Sequence, residues 1–372
     1  MAEMDRRIKA RQAAGIAAAV VSGGDVVESC CGMLDMERGV PVEPDSLMRI
    51  YSLSKPVVAV AVMLLRERGL LNLDDPVRVW IPSFAEFHTI AGEPLDTDIT
   101  VRHLLTHTSG LPNWFDVGVA EDACREANLV SPLLLLTNPL PTTVELISRL
   151  PLVFQPGISW RYSVSFEVLG YLIEVISGRS LAEFLREEIF TPLGMVDTGF
   201  SVPATALDRF GPLYGPPEEG LLPVVDPRLG SRFTEEPVAP SGGGGLVSTL
   251  RDYLRFARML GAGGTLDGVR ILQADSVRAM AANQLSGTAF PIRWDDDPDD
   301  STGYGLGVGV GVGEPARFGW GGAAGTQMWI YPDHNLIVLA LTQSMFDFTI
   351  TDAFIAAVIT SELGLDPPKP VF

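Results

Sequence analysis

Two apolar runs, 16–22 and 26–33, flank Gly23-Gly24-Asp25 and predict a β-hairpin. A polar helix precedes them over the first fifteen residues. The stretch 56–68 is apolar on nearly every side (Val57, Val58, Val60, Val62, Met63, Leu64, Leu65) and stops before Gly69. A helix without a polar face is a buried one. Between about 71 and 240, Pro-rich loops separate helices at 100–109, 166–177 and 181–190. The first has Thr100 as N-cap and Gly110 as its stop. Residues 203–240, rich in Pro and Gly, read as irregular loops. Ser241-Gly-Gly-Gly-Gly then leads into a helix near 251–260, capped by Thr249 with Asp252. Beyond 300 the pattern changes again, with strands at 304–313, 327–331 and 336–341 and a closing helix at 351–363. Strands at both ends and helices between them predict a discontinuous α/β domain of residues 1–70 and 240–372. A mainly helical domain, 71–239, is inserted in it.

Composition narrows the function. The chain has 372 residues, 47% apolar and 20% charged, with a formal net charge of −19. That acidity argues against nucleic acid and anionic membranes, which need positive surface. No apolar stretch is long enough to span a membrane. The basic residues before Ala17–Val21 imitate a signal peptide, but strand, turn and strand account for the run better, and a cytoplasmic location is expected. Cys30, Cys31 and Cys124 have no framework spacing and read as reduced, small apolar residues.

Lysine is the informative residue. Of 27 basic residues only Lys9, Lys55 and Lys369 are lysines, and only Lys55 is far from both ends. Arginine keeps its proton in a protein, whereas a desolvated lysine can release it. Ser52 lies three residues before Lys55, a spacing that brings both side chains to one helix face. A neutral amine beside a hydroxyl is what a weak nucleophile needs. The bland alternative is a helix cap beside a lysine whose stem is buried.

Arg49-Ile-Tyr-Ser52-Leu-Ser-Lys55-Pro56 resembles the nucleophile motif of the serine β-lactamase and penicillin-binding-protein superfamily. Thr100-Val-Arg-His-Leu-Leu-Thr-His-Thr-Ser-Gly-Leu-Pro112 is similar to a helical stretch of its class C-like branch. Phe154-Gln-Pro-Gly157, followed by Tyr162-Ser-Val164, resembles the second motif, Tyr-x-Asn. Trp320-Gly321-Gly322 stands where the third, Lys-Thr-Gly or His-x-Gly, belongs. The resemblance spans about residues 10–360. It implies an α/β (α+β) fold of the β-lactamase/transpeptidase type, an antiparallel sheet flanked by helices plus a helical domain. It also implies an active site in the cleft between, with Tyr162 sharing proton transfer with Lys55; which of the two is the base stays open. The resemblance places the oxyanion hole at the backbone N–H groups of Ser52 and Ala323, and Trp320, Gly321, Gly322 and Val164 at the substrate. Gly321 and Gly322 would let the strand approach it closely.

Val164 and Trp320 depart from the antibiotic-binding pattern, and Trp-Gly-Gly is similar to the family VIII carboxylesterases. The expected reaction is therefore hydrolysis of short- to medium-chain acyl esters through a Ser52 acyl-enzyme. No cofactor or metal is expected; the partner is a small-molecule ester, and the oligomeric state stays open. Acyl transfer on the same scaffold, β-lactam or D-alanyl peptide hydrolysis and a non-catalytic scaffold are the rivals. His103 and His107, at helical spacing, read as packing and capping rather than metal ligands. The acidic run Asp295–Asp300 reads as a solvated loop. Leu133–Leu136 is either core or the wall of an acyl pocket.

Overall fold

The computed structural model describes residues 2–115, 118–131, 133–218, 221–294, 297–298, 302–313 and 315–367. Lys369 and all of the acidic run but Asp297 and Pro298 fall outside them. Eight antiparallel strands form the main sheet: β1 (Gly15–Ser22), β2 (Asp25–Asp35), β3 (Val40–Pro41), β4 (Thr302–Tyr304), β5 (Gly309–Gly311), β6 (Arg317–Gly322), β7 (Thr326–Tyr331) and β8 (Leu336–Thr342). Their order is β4-β5-β6-β7-β8-β1-β2-β3. The two ends of the sequence thus meet in mid-sheet, where Ile16 of β1 pairs with Thr342 of β8.

All residues of β6, β7 and β8 are buried, so both faces of these strands are covered. Helices α1 (Ala2–Lys9), α5 (Leu250–Gly261) and α6 (Thr349–Leu363) pack on the sheet. The apolar helix α2 (Ser54–Glu67) packs instead on α4 (Ser165–Ser177), which also receives α3 (Val101–Leu105). Val57, Val58, Val60, Val62 and Met63 of α2 are fully enclosed, and each such side chain stabilises the fold by about 1.5–3 kcal/mol.

Four expectations need correction. The stretch 304–313 is not one strand but β4, a turn and β5, because Gly305–Val308 reverse the chain. The expected helix 100–109 ends at Leu105: Thr106 turns its hydroxyl onto the Arg102 carbonyl and His107 takes φ 56°. Thr100 is its N-cap, with His103 closing a capping box. The helix expected at 181–190 is α-helical only over Leu181–Leu185 and continues as a wider turn over Arg186–Phe190. Within 203–240, short antiparallel strands at Leu213–Tyr214 and Val224–Asp226 interrupt the loops.

Candidate active site

The Ser52 turn is built by its flanks. Met48–Arg49 pairs with Val247–Ser248. The chain then tightens into a 3-10 turn, Tyr51–Leu53, before α2 begins at Ser54. Ser52 is therefore on the turn and not in the helix, while Lys55 lies in the first helical turn. Pro56 is tolerated there because its missing N–H would have had no helical partner. Tyr51 takes φ 43°, a left-handed conformation that costs a side-chain-bearing residue about 1–2 kcal/mol. Tyr51 is held there by burial and by an edge contact to Phe233 at 5.8 Å.

Three sequence-predicted residues converge. Ser52 Oγ accepts the Tyr162 hydroxyl at 2.7 Å and Lys55 Nζ at 3.1 Å. Lys55, 4% exposed, also donates to the Gly243 carbonyl at 2.6 Å and lies 4.6 Å from the Tyr162 ring centroid. Tyr162, just ahead of α4, is anchored by Asn113, whose amide donates to its carbonyl at 3.0 Å. Trp320 stacks on the Tyr162 ring at 5.7 Å. His107 packs against the same ring at 4.5 Å, its Nδ1 accepting the Ser163 amide. Burial, assisted by Lys55, holds His107 well below the usual imidazole range, so it stays neutral. Burial, then Tyr162, pushes the Tyr304 hydroxyl well above the phenol range.

These groups open on a cavity of about 360 Å3. Trp320, Gly321, Gly322 and Ala323 all line it. Gly322 has a further reason to be glycine. A Cβ there would overlap the Ile50 carbonyl oxygen, so β6 can lie directly against the nucleophile turn. Val164 is the exception among the predicted residues. It is buried in the core, donates its amide to the Pro112 carbonyl and takes no part in the lining. Its place just before α4 turns the side chain into the helix packing. The leucine run divides. Leu134 lines the cavity, whereas Leu135 and Leu136 are core.

The sequence reading missed several lining residues. Trp114, Phe115, Phe346 and Phe348 give the cavity an aromatic wall. Phe115 (44% exposed) and Phe346 (61% exposed) stand at its mouth. Glu167 of α4 was missed too. It is 3% exposed and accepts the Ser241 hydroxyl at 2.7 Å and the Gly242 and Gly243 amides at 3.0 and 3.1 Å. The Gly-rich run that follows Ser241 is thus a cradle for a carboxylate. A carboxylate embedded in the apolar run Phe166–Ile173 was the available signal, since a buried charge requires partners.

Other nucleophile candidates are occupied. Ser54 accepts the Leu246 amide, Ser109 shares a hydrogen bond with Ser165, and all three serines are fully buried. Burial pushes the Cys30 and Cys124 thiols up to about 11 and about 12, which leaves them inert at neutral pH. A wider groove of about 990 Å3 between Asp35–Arg38 and the segment 212–229 holds no activated nucleophile. Arg11, Arg38 and Arg228 line it together with Asp35, Glu37 and Glu218, and Arg38 pairs with Asp35. No helix among the described residues is long and apolar enough to cross a membrane.

An antiparallel sheet whose strand β6 abuts a Ser-x-x-Lys turn, with a tyrosine on the serine, defines a class. The chain belongs to the Beta-lactamase family, whose family model matches residues 3–359. It is 34% identical over 376 residues to Protein Rv1367c of Mycobacterium tuberculosis, spanning 92% of this chain and 88% of that one. Esterase EstB of Burkholderia gladioli is 34% identical over 269 residues, 68% of this chain and 67% of its own. Among solved structures, EstCE1, described as a hydrolase with promiscuous acyltransferase activity, superposes with a TM-score of 0.78. It is 25% identical and 93% of each chain is covered.

Proposed function

We propose that this protein is a carboxylic ester hydrolase acting through a Ser52 acyl-enzyme on short- to medium-chain, uncharged acyl esters. One observation carries the reading. The Ser52 hydroxyl is held between Tyr162 and Lys55 on the floor of a cavity walled on part of its surface by Trp114, Phe115, Phe346 and Phe348. In the first step Ser52 Oγ bonds to the ester carbonyl carbon while its proton passes to the Lys55–Tyr162 pair. Backbone N–H groups of Ser52 and Ala323 receive the developing oxyanion. The carbon–alkoxy bond then breaks, and the alcohol leaves with that proton. Water next attacks the acyl-serine, releasing the acid and returning a proton to Ser52 Oγ.

The cavity's charged side chains are Lys55 and Glu167, and both already have partners within the protein. A substrate carboxylate would be desolvated there without a counter-charge, which supports ester over β-lactam cleavage. Esterase EstB, matched over two thirds of its length, supports the same reading. Acyl transfer to an alcohol uses the same acyl-enzyme, and the promiscuous acyltransferase activity of EstCE1 favours it as a second outcome. An active-site-directed fluorophosphonate should add one label, mapping to Ser52, and aryl butyrates should turn over. Labelling elsewhere, or cephalosporin turnover rivalling butyrate, would overturn the assignment. Adding a competing alcohol separates hydrolysis from transfer.

A further inference from the structure

We infer that Glu167 is the positioning residue of this site: its ionised carboxylate locks the Ser241–Gly244 loop and, through the Gly243 carbonyl, holds the Lys55 amine on Ser52. The inference rests on the reading of Ser52 and Lys55 as the reacting pair. Three donors converge on Glu167 and nothing on its oxygens donates back. Oε1 takes the Ser241 hydroxyl and the Gly243 amide, and Oε2 takes the Gly242 amide. A carboxylate that only accepts is the ionised form. Burial pushes Glu167 above the usual range, while the Ser241 hydroxyl and then Lys55 pull it back. The bonds and the nearby ammonium thus oppose the desolvation, which remains the largest influence on this carboxyl.

The coupling runs through one residue. The Gly243 amide is fixed by Glu167, and the Gly243 carbonyl takes Lys55 Nζ at 2.6 Å. A Cβ on Gly243 would fall 2.6 Å from Glu167 Oε1 and 3.5 Å from Lys55 Nζ. The loop is thus glycine where carboxylate and amine close in on it. Among the described residues, the other titratable groups around the cluster are Tyr51, His107, Tyr162 and Tyr304, none of them a carboxylate. Glu167 is accordingly the negative charge set against Lys55. It has a second effect besides geometry, because it favours the ammonium over the free amine.

The test uses the small number of lysines. With ε-13C-lysine the full chain gives signals from Lys9, Lys55 and Lys369 only, and Lys55→Arg assigns the interior one. Glu167→Gln should move the Lys55 titration to lower pH. On an aryl butyrate, kcat should fall about 10- to 100-fold, with KM nearly unchanged and the acid limb of the pH profile displaced the same way. Glu174→Gln, on the same helix, should leave the Lys55 titration and the profile in place. A folded Glu167→Gln protein whose Lys55 titration stays put overturns the proposal. That measurement needs no substrate, so it stands even where the esterase reading fails. Should Glu167→Gln not fold, Ser241→Ala removes one of the three donors and keeps both charges. It should lower kcat about three- to tenfold at constant KM, and an unchanged kcat overturns the proposal.

Discussion

Two cations flank Ser52, and both are buried, yet the protein uses them in opposite ways. Arg49 is fully enclosed and ion-paired with Asp226 at 2.6 Å. Its remaining donors reach the Gly211 carbonyl, Gln343 and Ser231, and Phe210 lies under the guanidinium at 4.1 Å. Every donor direction is used, and the charge is permanent. Lys55 has no direct carboxylate bond. Its contacts are a hydroxyl, a carbonyl and an aromatic face, all of which a neutral amine also tolerates. The first cation fixes the turn that presents Ser52. The second, on the proposed mechanism, exchanges a proton with Ser52. A buried charge is structural when its partner is an anion in direct contact, and open to proton exchange when no anion touches it.

Exchanging the two side-chain types breaks the comparison most directly. Lys55→Arg should leave the fold intact by circular dichroism while ester turnover falls by roughly 10²- to 10⁴-fold, the usual size of general-base assistance. Near-native turnover would put the base elsewhere, with Tyr162 first in line. The reciprocal Arg49→Lys should strike stability and spare chemistry. Three ammonium donors cannot replace the guanidinium fork, and each orphaned buried partner costs about 1–3 kcal/mol. Thermal unfolding should shift down while turnover per folded molecule stays close to native; the reverse pattern would make Arg49 part of the chemistry.

Asp352 offers a smaller effect that sharpens the contrast, since it is a half-buried carboxylate that accepts from the neutral Gln327 amide. Burial pushes its carboxyl up to about 6; Gln327, donating at 2.6 Å, opposes that and Asp347 adds to it. The folded value lies above the ordinary 3.8. Its stabilising contribution is therefore complete below about 3.8 and lost as pH rises through about 6. Asp352→Asn removes that loss, so its melting temperature relative to the native chain should climb between about pH 4 and 7. A difference that is flat with pH would mean Asp352 titrates normally.

What could be read from the sequence was whatever local spacing determines. Ser52 and Lys55 meet because three residues of turn and helix bring them together, and Thr100 caps because its neighbours are fixed by the helix. Tyr162 came from resemblance, since nothing local dictates its 2.7 Å contact with a serine 110 positions earlier. Strand β6 was obscured by its own glycines, whose role is to approach other backbone and not to favour extension. The turn at 305–308 was misread for the same reason, alternating glycine looking like a strand where it reverses the chain. Glu167 and the aromatic wall depend on tertiary packing that no periodicity reports.

The pairing of β1 with β8 has a consequence for how the molecule comes into being. A ribosome emits the hairpin β1–β2 and the Ser52 turn early, yet β1 waits for residues 336–342 before its second edge is covered. Until then Ile16–Val21 is an open, apolar edge of the kind that invites aggregation. Ala323, the proposed second oxyanion donor, also belongs to the late segment. On the proposed mechanism the Ser52 turn thus precedes its oxyanion partner in synthesis, and the two come together only when β6 docks against that turn.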